Sequence, residues 1–360
     1  MEQELFAYWL YTLRGIGAKK RHELQQIYGN AEQIYYGDKT KLKESPVFSE
    51  QDKTLLGKPE TVKEIKHKMQ RMEQRGIRFC SQESEAFPKK LRYIPDPPYA
   101  LFYRGMLPDT DRPAIAIVGG RNTGYESREI AAGFGRQLAE NGIAVVSGLA
   151  RGIEKGALDI PGGKTYGVLG TGVDICYPRE HIEQYMLMQR RGAVISEYAP
   201  GSRGFRSNFA RRNRIISGLS DGVLVIAARE GSGSLITAEC ALEQGKEVFI
   251  VPGNILDPSY AGGNQLLKSG AAVVTDIQDI LDGLGAFWDI NYSAQKKKNE
   301  VMLETAEKIV YAILGFDGIH ISEIVAQTGL SVPQTMEVLA SLEQKKLVNM
   351  VGQHYYALKI

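Results

Sequence analysis

Residues 114–119 read AIAIVG, and this short run sets the fold. It is apolar on both faces, so the strand it predicts must be covered on both sides. Six comparable runs follow: GIAVVSG (142–148), TYGVLG (165–170), GAVISE (192–197), GVLVIAA (222–228), EVFIVPG (247–253) and AAVVT (271–275). Amphipathic stretches lie between most of them. Doubly apolar strands alternating with helices predict an α/β protein, an extended Rossmann-like parallel sheet over residues 113–285.

On the N-terminal side, residues 1–75 read as a small helical domain. Leu5, Trp9, Leu13 and Ile16 recur at helical spacing. The stretch LRGIGAKKRHEL is similar to the hairpin of helix-hairpin-helix modules, where glycine lets backbone N–H groups approach a phosphate. A plain turn between two helices is the alternative. Residues 76–112 read as an extended connector packed on the core, because Pro95, Pro97 and Pro98 forbid a helix.

On the C-terminal side, residues 286–304 contain NYSAQKKKNE, a polar and basic linker. Residues 305–360 then predict three helices and a hairpin turning at Gly352-Gln353, a winged-helix domain. The third helix, SVPQTMEVLASLEQKK, carries Glu337 and Glu343, with lysines confined to its end. That surface suits a protein contact better than duplex reading.

The bulk numbers narrow the function. The 360 residues are 43% hydrophobic and 24% charged, an ordinary globular composition, with a formal charge of +2. A nucleic-acid site must therefore be a local patch. Cys80, Cys176 and Cys240 are odd in number and far apart, which argues for a reducing compartment and against a disulfide framework. Neither C-x-x-C nor H-E-x-x-H occurs, so no metal site is expected. No apolar run reaches the ~18 residues of a membrane span, and the N-terminus lacks a signal-peptide layout. The expected location is the cytoplasm.

Ligands of open parallel sheets bind beyond the carboxyl ends of the strands. At that edge the runs end in Gly119-Gly120-Arg121, Ser147-Gly148, Gly170-Thr171-Gly172, Gly231-Ser232-Gly233-Ser234 and Pro252-Gly253-Asn254. Stacked together, these loops predict a rim of backbone N–H groups and helix N-termini suited to phosphates. A dinucleotide fits poorly. Arg121 stands where the middle glycine of G-x-G-x-x-G would meet pyrophosphate, and no acid ends the second strand to hold a ribose. No P-loop motif occurs either.

The stretch GSRGFRSNFARRNRIISGLS (201–220) carries Arg203, Arg206, Arg211, Arg212 and Arg214, with Phe205 and Phe209 between them. Guanidinium on phosphate and ring on base is the chemistry of single-strand binding. Ile215 and Ile216 read as core, and Phe209 as either a stacking platform or core.

These residues are similar to a known pattern. VVSGLARGI, GVLGTGVDICYP, ISEYAPG, RRNRIISGLS, SGSLITAECALEQGKEVFIVPG and GGNQLLKSGA resemble the DprA (Smf, DNA-processing protein A) family over 113–285, and PDPPYALFYRG extends the likeness upstream. The resemblance implies a protein that binds incoming single-stranded DNA, dimerises through the Rossmann-like core and helps load the recombinase RecA in natural transformation, with no catalytic turnover and no cofactor. By matching motif, it implies that Arg121, Arg179, Arg206 and Phe209 line the DNA pocket. The expected site is then Gly119, Gly120, Arg121, Ser147, Gly148, Gly170, Arg179, Arg206, Phe209, Arg211, Arg212, Asn213, Arg214, Gly231, Gly233 and Ser234, with no catalytic or metal-binding residue.

Two departures stand out. Gly120 replaces the serine of the family's Gly-Ser-Arg loop. The stretch Gly152-Ile153-Glu154-Lys155-Gly156-Ala157-Leu158 lacks the usual Asp and Ala-His and is shorter, so the helix after the second strand must be truncated or rebuilt. Two rival readings remain: a nucleotide-sensing or nucleoside-phosphate-hydrolysing Rossmann enzyme using Glu197, Asp174 or Glu230, and a winged-helix transcription factor.

Overall fold

The computed structural model describes residues 2–43, 45–109, 112–158, 162–285, 304–345 and 347–359. The chain divides into two compact units, Met1–Trp288 and Asp289–Ile360. The linker expected over 286–304 lies, apart from Glu304, outside the described residues.

The first unit is built on a nine-stranded sheet: β1 (Arg78–Ser81), β2 (Ala100–Gly105), β3 (Ala114–Gly119), β4 (Ala144–Ser147), β5 (Thr165–Val168), β6 (Ala193–Ser196), β7 (Gly222–Ile226), β8 (Glu247–Ile250) and β9 (Ala272–Val273). Their order is β1-β2-β6-β5-β4-β3-β7-β8-β9. From β6 to β9 every pairing is parallel. All residues of β3, β4, β5, β6 and β7 are buried, as strands covered on both faces require. The strand order reverses between β3 and β7, whose register pairs Gly119 with Ile226 at the carboxyl end. This switch point opens a crevice above the sheet.

The stretch read as a connector contributes β1 and β2, with β2 antiparallel to β6 and β1 antiparallel to β2 at the sheet edge. Alternation along β2 gives it two cores. Leu101 and Tyr103 pack into the central sheet core, while Ala100 and Phe102 pack with the N-terminal helices. Those helices are α1 (Glu2–Thr12), α2 (Ala18–Tyr28), α3 (Ala31–Tyr36), α4 (Glu50–Gly57) and α5 (Val62–Gln74). Asn30, Ser49 and Thr61 start α3, α4 and α5 with capping boxes, which satisfy N–H groups left orphaned at a helix start. In the glycine turn between α1 and α2, Lys20 donates to Gly15 O (3.1 Å) and Arg21 to Ile16 O (2.8 Å). The turn's own cations thus cover its carbonyls.

The remaining helices of this unit are α6 (Lys89–Arg92), α7 (Tyr125–Glu140), α8 (Ile153–Leu158), α9 (Ile182–Arg191), α10 (Arg206–Arg211), α11 (Asn213–Leu219), α12 (Gly233–Glu243), α13 (Ala261–Lys268) and α14 (Ile277–Gly285). Among the described residues no helix is long and apolar enough to cross a membrane.

The second unit contains α15 (Thr305–Ile313), α16 (Ile321–Thr328), α17 (Val332–Gln344), and a small sheet of β10 (Ile319–His320), β11 (Val348–Gly352) and β12 (Tyr355–Leu358) in the order β10-β12-β11. This is a winged helix around Val310, Ile324, Leu339 and Leu342. Glu343 at the end of α17 accepts from Met350 N (3.0 Å) and so ties helix to wing. Val332 and Met336 on α17 and Met350 and Val351 on the wing are exposed.

Candidate nucleic-acid interface

The loops after β3 and β7 meet the start of α10 and the start of α12 around an open cleft of about 720 Å³. It lies at the carboxyl ends of the strands, over the β3–β7 switch point. Arg121, Arg206, Arg212 and Arg229 line it, together with Phe209, Tyr177 and the Gly231–Ser234 turn. Arg121, Arg206 and Arg229 are exposed and present their charge to solvent.

Arg212 is the floor. It is 4% exposed. Its Nη1 donates to Gly148 O (2.7 Å) and Val168 O, and its Nε donates to Asn213 Oδ1 (3.0 Å). Burial pulls the guanidinium below the ordinary arginine value, against the nearby charge of Glu154, and Arg121 adds repulsion in the same direction as burial. Neutral carbonyls hold this buried cation by hydrogen bonds, and the charge of Glu154 nearby offsets part of its own. Gly148 makes this possible, because a Cβ there would lie 2.1 Å from Nη1. Asn213 Nδ2 also donates to Gly233 O (3.0 Å), which couples the floor to the first turn of α12.

Phe209 lies half-buried against two glycines. A Cβ at Gly170 would lie 2.7 Å from its Cδ1, and one at Gly204 would lie 2.7 Å from its Cζ. Its ring meets that of Tyr177 at 5.2 Å and 40°. Tyr177 is 55% exposed, and a cis peptide joins it to Pro178. The two rings offer a partly exposed aromatic platform beside Arg206. Gly231 and Gly233 face open space, and Gly231 takes φ +68. Ser232 Oγ accepts from Ser234 N (3.4 Å) and Ser232 O from Leu235 N (3.0 Å), so two of the first N–H groups of α12 are paired within the turn itself. The Ser232 and Ser234 hydroxyls pair with each other at 2.7 Å.

Comparison with known proteins supplies the family. Residues 78–285 match the DNA recombination-mediator protein A family, and residues 294–349 match the DprA winged helix domain. Protein Smf of Escherichia coli is 36% identical over 299 residues, 80% of this chain and 79% of that protein. The chain belongs to the DprA/Smf family. DNA processing protein DprA of Bacillus subtilis is 39% identical over 216 residues, 59% of this chain and 72% of that protein. The X-ray structure of DprA from Streptococcus pneumoniae covers 78% of this chain and 97% of its own, at 31% identity and a TM-score of 0.62. A Helicobacter pylori DNA processing protein A, studied for its single-stranded DNA binding mode, covers 59% of this chain and 98% of its own, at 28% identity and a TM-score of 0.52.

Several residues expected at the DprA-type pocket lie elsewhere or do something else. Arg214 is not in the cleft. Its Nε donates to the exposed Asp96 (2.7 Å) and its Nη2 to the buried Glu197 (2.8 Å). Burial alone would pull its guanidinium down, but Glu197 and Asp96 hold it above the ordinary arginine value. It is a structural cation, because helix α11 turns it inward. Arg211 is half-exposed, 3.8 Å from the buried Glu197, and is not a lining residue. Arg179 is exposed on the 3-10 turn Arg179–His181 and also lies outside the lining. Ser147 is fully buried, donating to Glu154 Oε2 (3.1 Å), so its hydroxyl serves an internal carboxylate. Gly148 and Gly170 are not among the residues lining the cleft. Their missing side chains leave room for Arg212 and Phe209.

The lining residues outside the expected site include Tyr177, Arg229 and, as a ligand-facing group, Glu154. Tyr177 and Arg229 sit at strand-end loops, which was the signal available. Of the three acids that a hydrolytic reading would use, Glu197 is bound to Arg214, Asp174 pairs with Arg75 (3.0 Å), and Glu230 lines the cleft. The rebuilt segment is α8, six residues long, while residues 159–161 lie outside the description. Among the described residues, no cluster of three or more His, Cys, Asp or Glu could hold a metal ion.

Proposed function

We propose that this chain binds single-stranded DNA in the switch-point cleft, without catalytic turnover and without a cofactor. One observation carries the reading: Arg121, Arg206, Arg229, the Phe209–Tyr177 rings and the Gly231–Ser234 turn converge on one cleft. Guanidinium groups attract the backbone, and the rings stack bases whatever the sequence. A cleft this small takes a few nucleotides, so Arg179 and Arg211, exposed beyond its rim, extend the path of a longer strand. We further propose that the protein acts in the cytoplasm as a homodimer through its Rossmann-like domain, protects incoming DNA and helps load RecA. The family membership and the single-strand binding of the Helicobacter pylori relative support this. The winged helix fits a protein contact, given its exposed Val332 and Met336 and its acidic Glu337.

The test compares single- and double-stranded DNA of equal length by gel shift under salt titration. Tighter single-strand binding with a steep salt slope is expected. Equal or preferential duplex binding that survives removal of residues 1–300 would support the transcription-factor reading, and turnover of nucleotides by the pure protein would support the hydrolase.

A further inference from the structure

The cleft contains a carboxylate that phosphate binding does not explain. Glu154, on the first turn of α8, is 6% exposed and lines the cleft. Its Oε2 accepts from Ser147 Oγ (3.1 Å) and Ala150 N (2.9 Å). Its Oε1 takes part in no hydrogen bond or ion pair among the described residues. Oε1 is not sealed away from the cleft, so it is open to a donor there, and a phosphate beside it would be repelled.

Position sharpens the point. Gly152, at φ +80, brings the chain against the Arg121 loop, where a Cβ would lie 2.3 Å from Gly120 O. Ile153 N then donates to Gly120 O (3.3 Å). Glu154 therefore sits behind the Arg121 loop and beside the Arg212 floor, while the cations that suit phosphates lie at the rim. A DNA strand whose backbone follows that rim turns its bases inward, toward Glu154.

A carboxylate accepts hydrogen bonds and donates none. Within a DNA strand, the groups able to donate to it are base N–H groups. Cytosine, adenine and guanine present an exocyclic amine. Thymine presents one N–H flanked by two carbonyl oxygens, which a carboxylate repels. We propose that Glu154 reads a base: its Oε1 accepts from the exocyclic amine of one nucleotide in the cleft and disfavours thymine at that position. This inference rests on the single-strand reading of the cleft and adds a base preference to it.

Glu154→Gln provides the test. Glutamine keeps an oxygen for Ser147 and Ala150, so a purely structural role survives the change. Its amide can also donate to a thymine carbonyl. Affinities of the full-length protein for oligo(dC) and oligo(dT) of equal length are measured for both forms, and the ratio cancels differences in strand stiffness. The oligo(dC) to oligo(dT) ratio is expected to fall at least about tenfold in Glu154→Gln, the low end of what one charge-assisted bond supplies. A second arm leaves the protein unaltered: an oligo(dC) dimethylated at every N4 has lost its donors and is expected to bind at least about tenfold more weakly. An unchanged ratio overturns the proposal, as does undiminished binding of the methylated strand. If the variant does not fold, the methylated strand decides alone. Failure of every oligonucleotide to bind would instead overturn the single-strand reading itself.

Discussion

Replacing Gly148 by alanine probes the floor of the cleft without removing a charge. The added methyl would lie 2.1 Å from Arg212 Nη1 and 2.3 Å from Cζ and Nη2. A free arginine would swing aside, but this one is pinned by Gly148 O, Val168 O and Asn213 Oδ1. Moving it breaks both charge-assisted bonds to carbonyls inside a buried site. Each such bond contributes about 1.5–3 kcal/mol, so the first unit should lose about 3–6 kcal/mol of stability. Urea unfolding followed by circular dichroism measures this directly. Gly233→Ala is the control, because a Cβ there meets nothing within 4 Å, and its stability should stay within about 0.5 kcal/mol. A loss below about 1 kcal/mol in Gly148→Ala would refute the pinned floor, since Arg212 would then have an alternative place to go.

Arg121→Ala and Arg206→Ala should each weaken single-strand binding about tenfold at low salt and reduce the log–log salt slope by about 0.7, read from anisotropy titrations. Phe209→Ala should lose about 1–3 kcal/mol of single-strand affinity through stacking, whereas Phe209→Tyr keeps most of it in the same titration. In the winged helix, Lys345, Ser341 and Glu304 N hold the Glu307 carboxyl down at about 2. A depressed acid stabilises the fold above its unfolded value and loses that contribution as pH falls through its folded value. Thermal melts of the winged-helix transition should therefore weaken between pH ~4.3 and ~2, and Glu307→Gln should flatten that dependence.

The parallel sheet was legible because β3 to β8 are apolar on both faces, a pattern few other elements produce. β1 and β2 were hidden: their stretch is dominated by prolines, and the signal that Phe79 and Phe102 pack under the N-terminal helices is tertiary. The strand-end glycines pointed to the correct edge of the sheet, but sequence cannot say what a glycine makes room for. Gly148 and Gly170 admit protein side chains, while Gly231 and Gly233 face the cleft. Arg212 and Arg214 show the same limit. They are two residues apart at the start of α11, and the helix sends one to the cleft floor and the other to Asp96 and Glu197. Composition is blind to that choice. Glu154 went unassigned as a ligand group because a single acid in a basic neighbourhood reads as a counter-ion until its hydrogen bonds are known.

Photo-crosslinking of a single strand carrying 5-iodouracil, mapped by mass spectrometry on the full-length protein, tests the central claim most directly. Crosslinks at Phe209 and Tyr177 that disappear in an Arg121→Ala, Arg206→Ala double variant are predicted. Crosslinks confined to the winged helix or the N-terminal helices, with both rings unmodified, would contradict it.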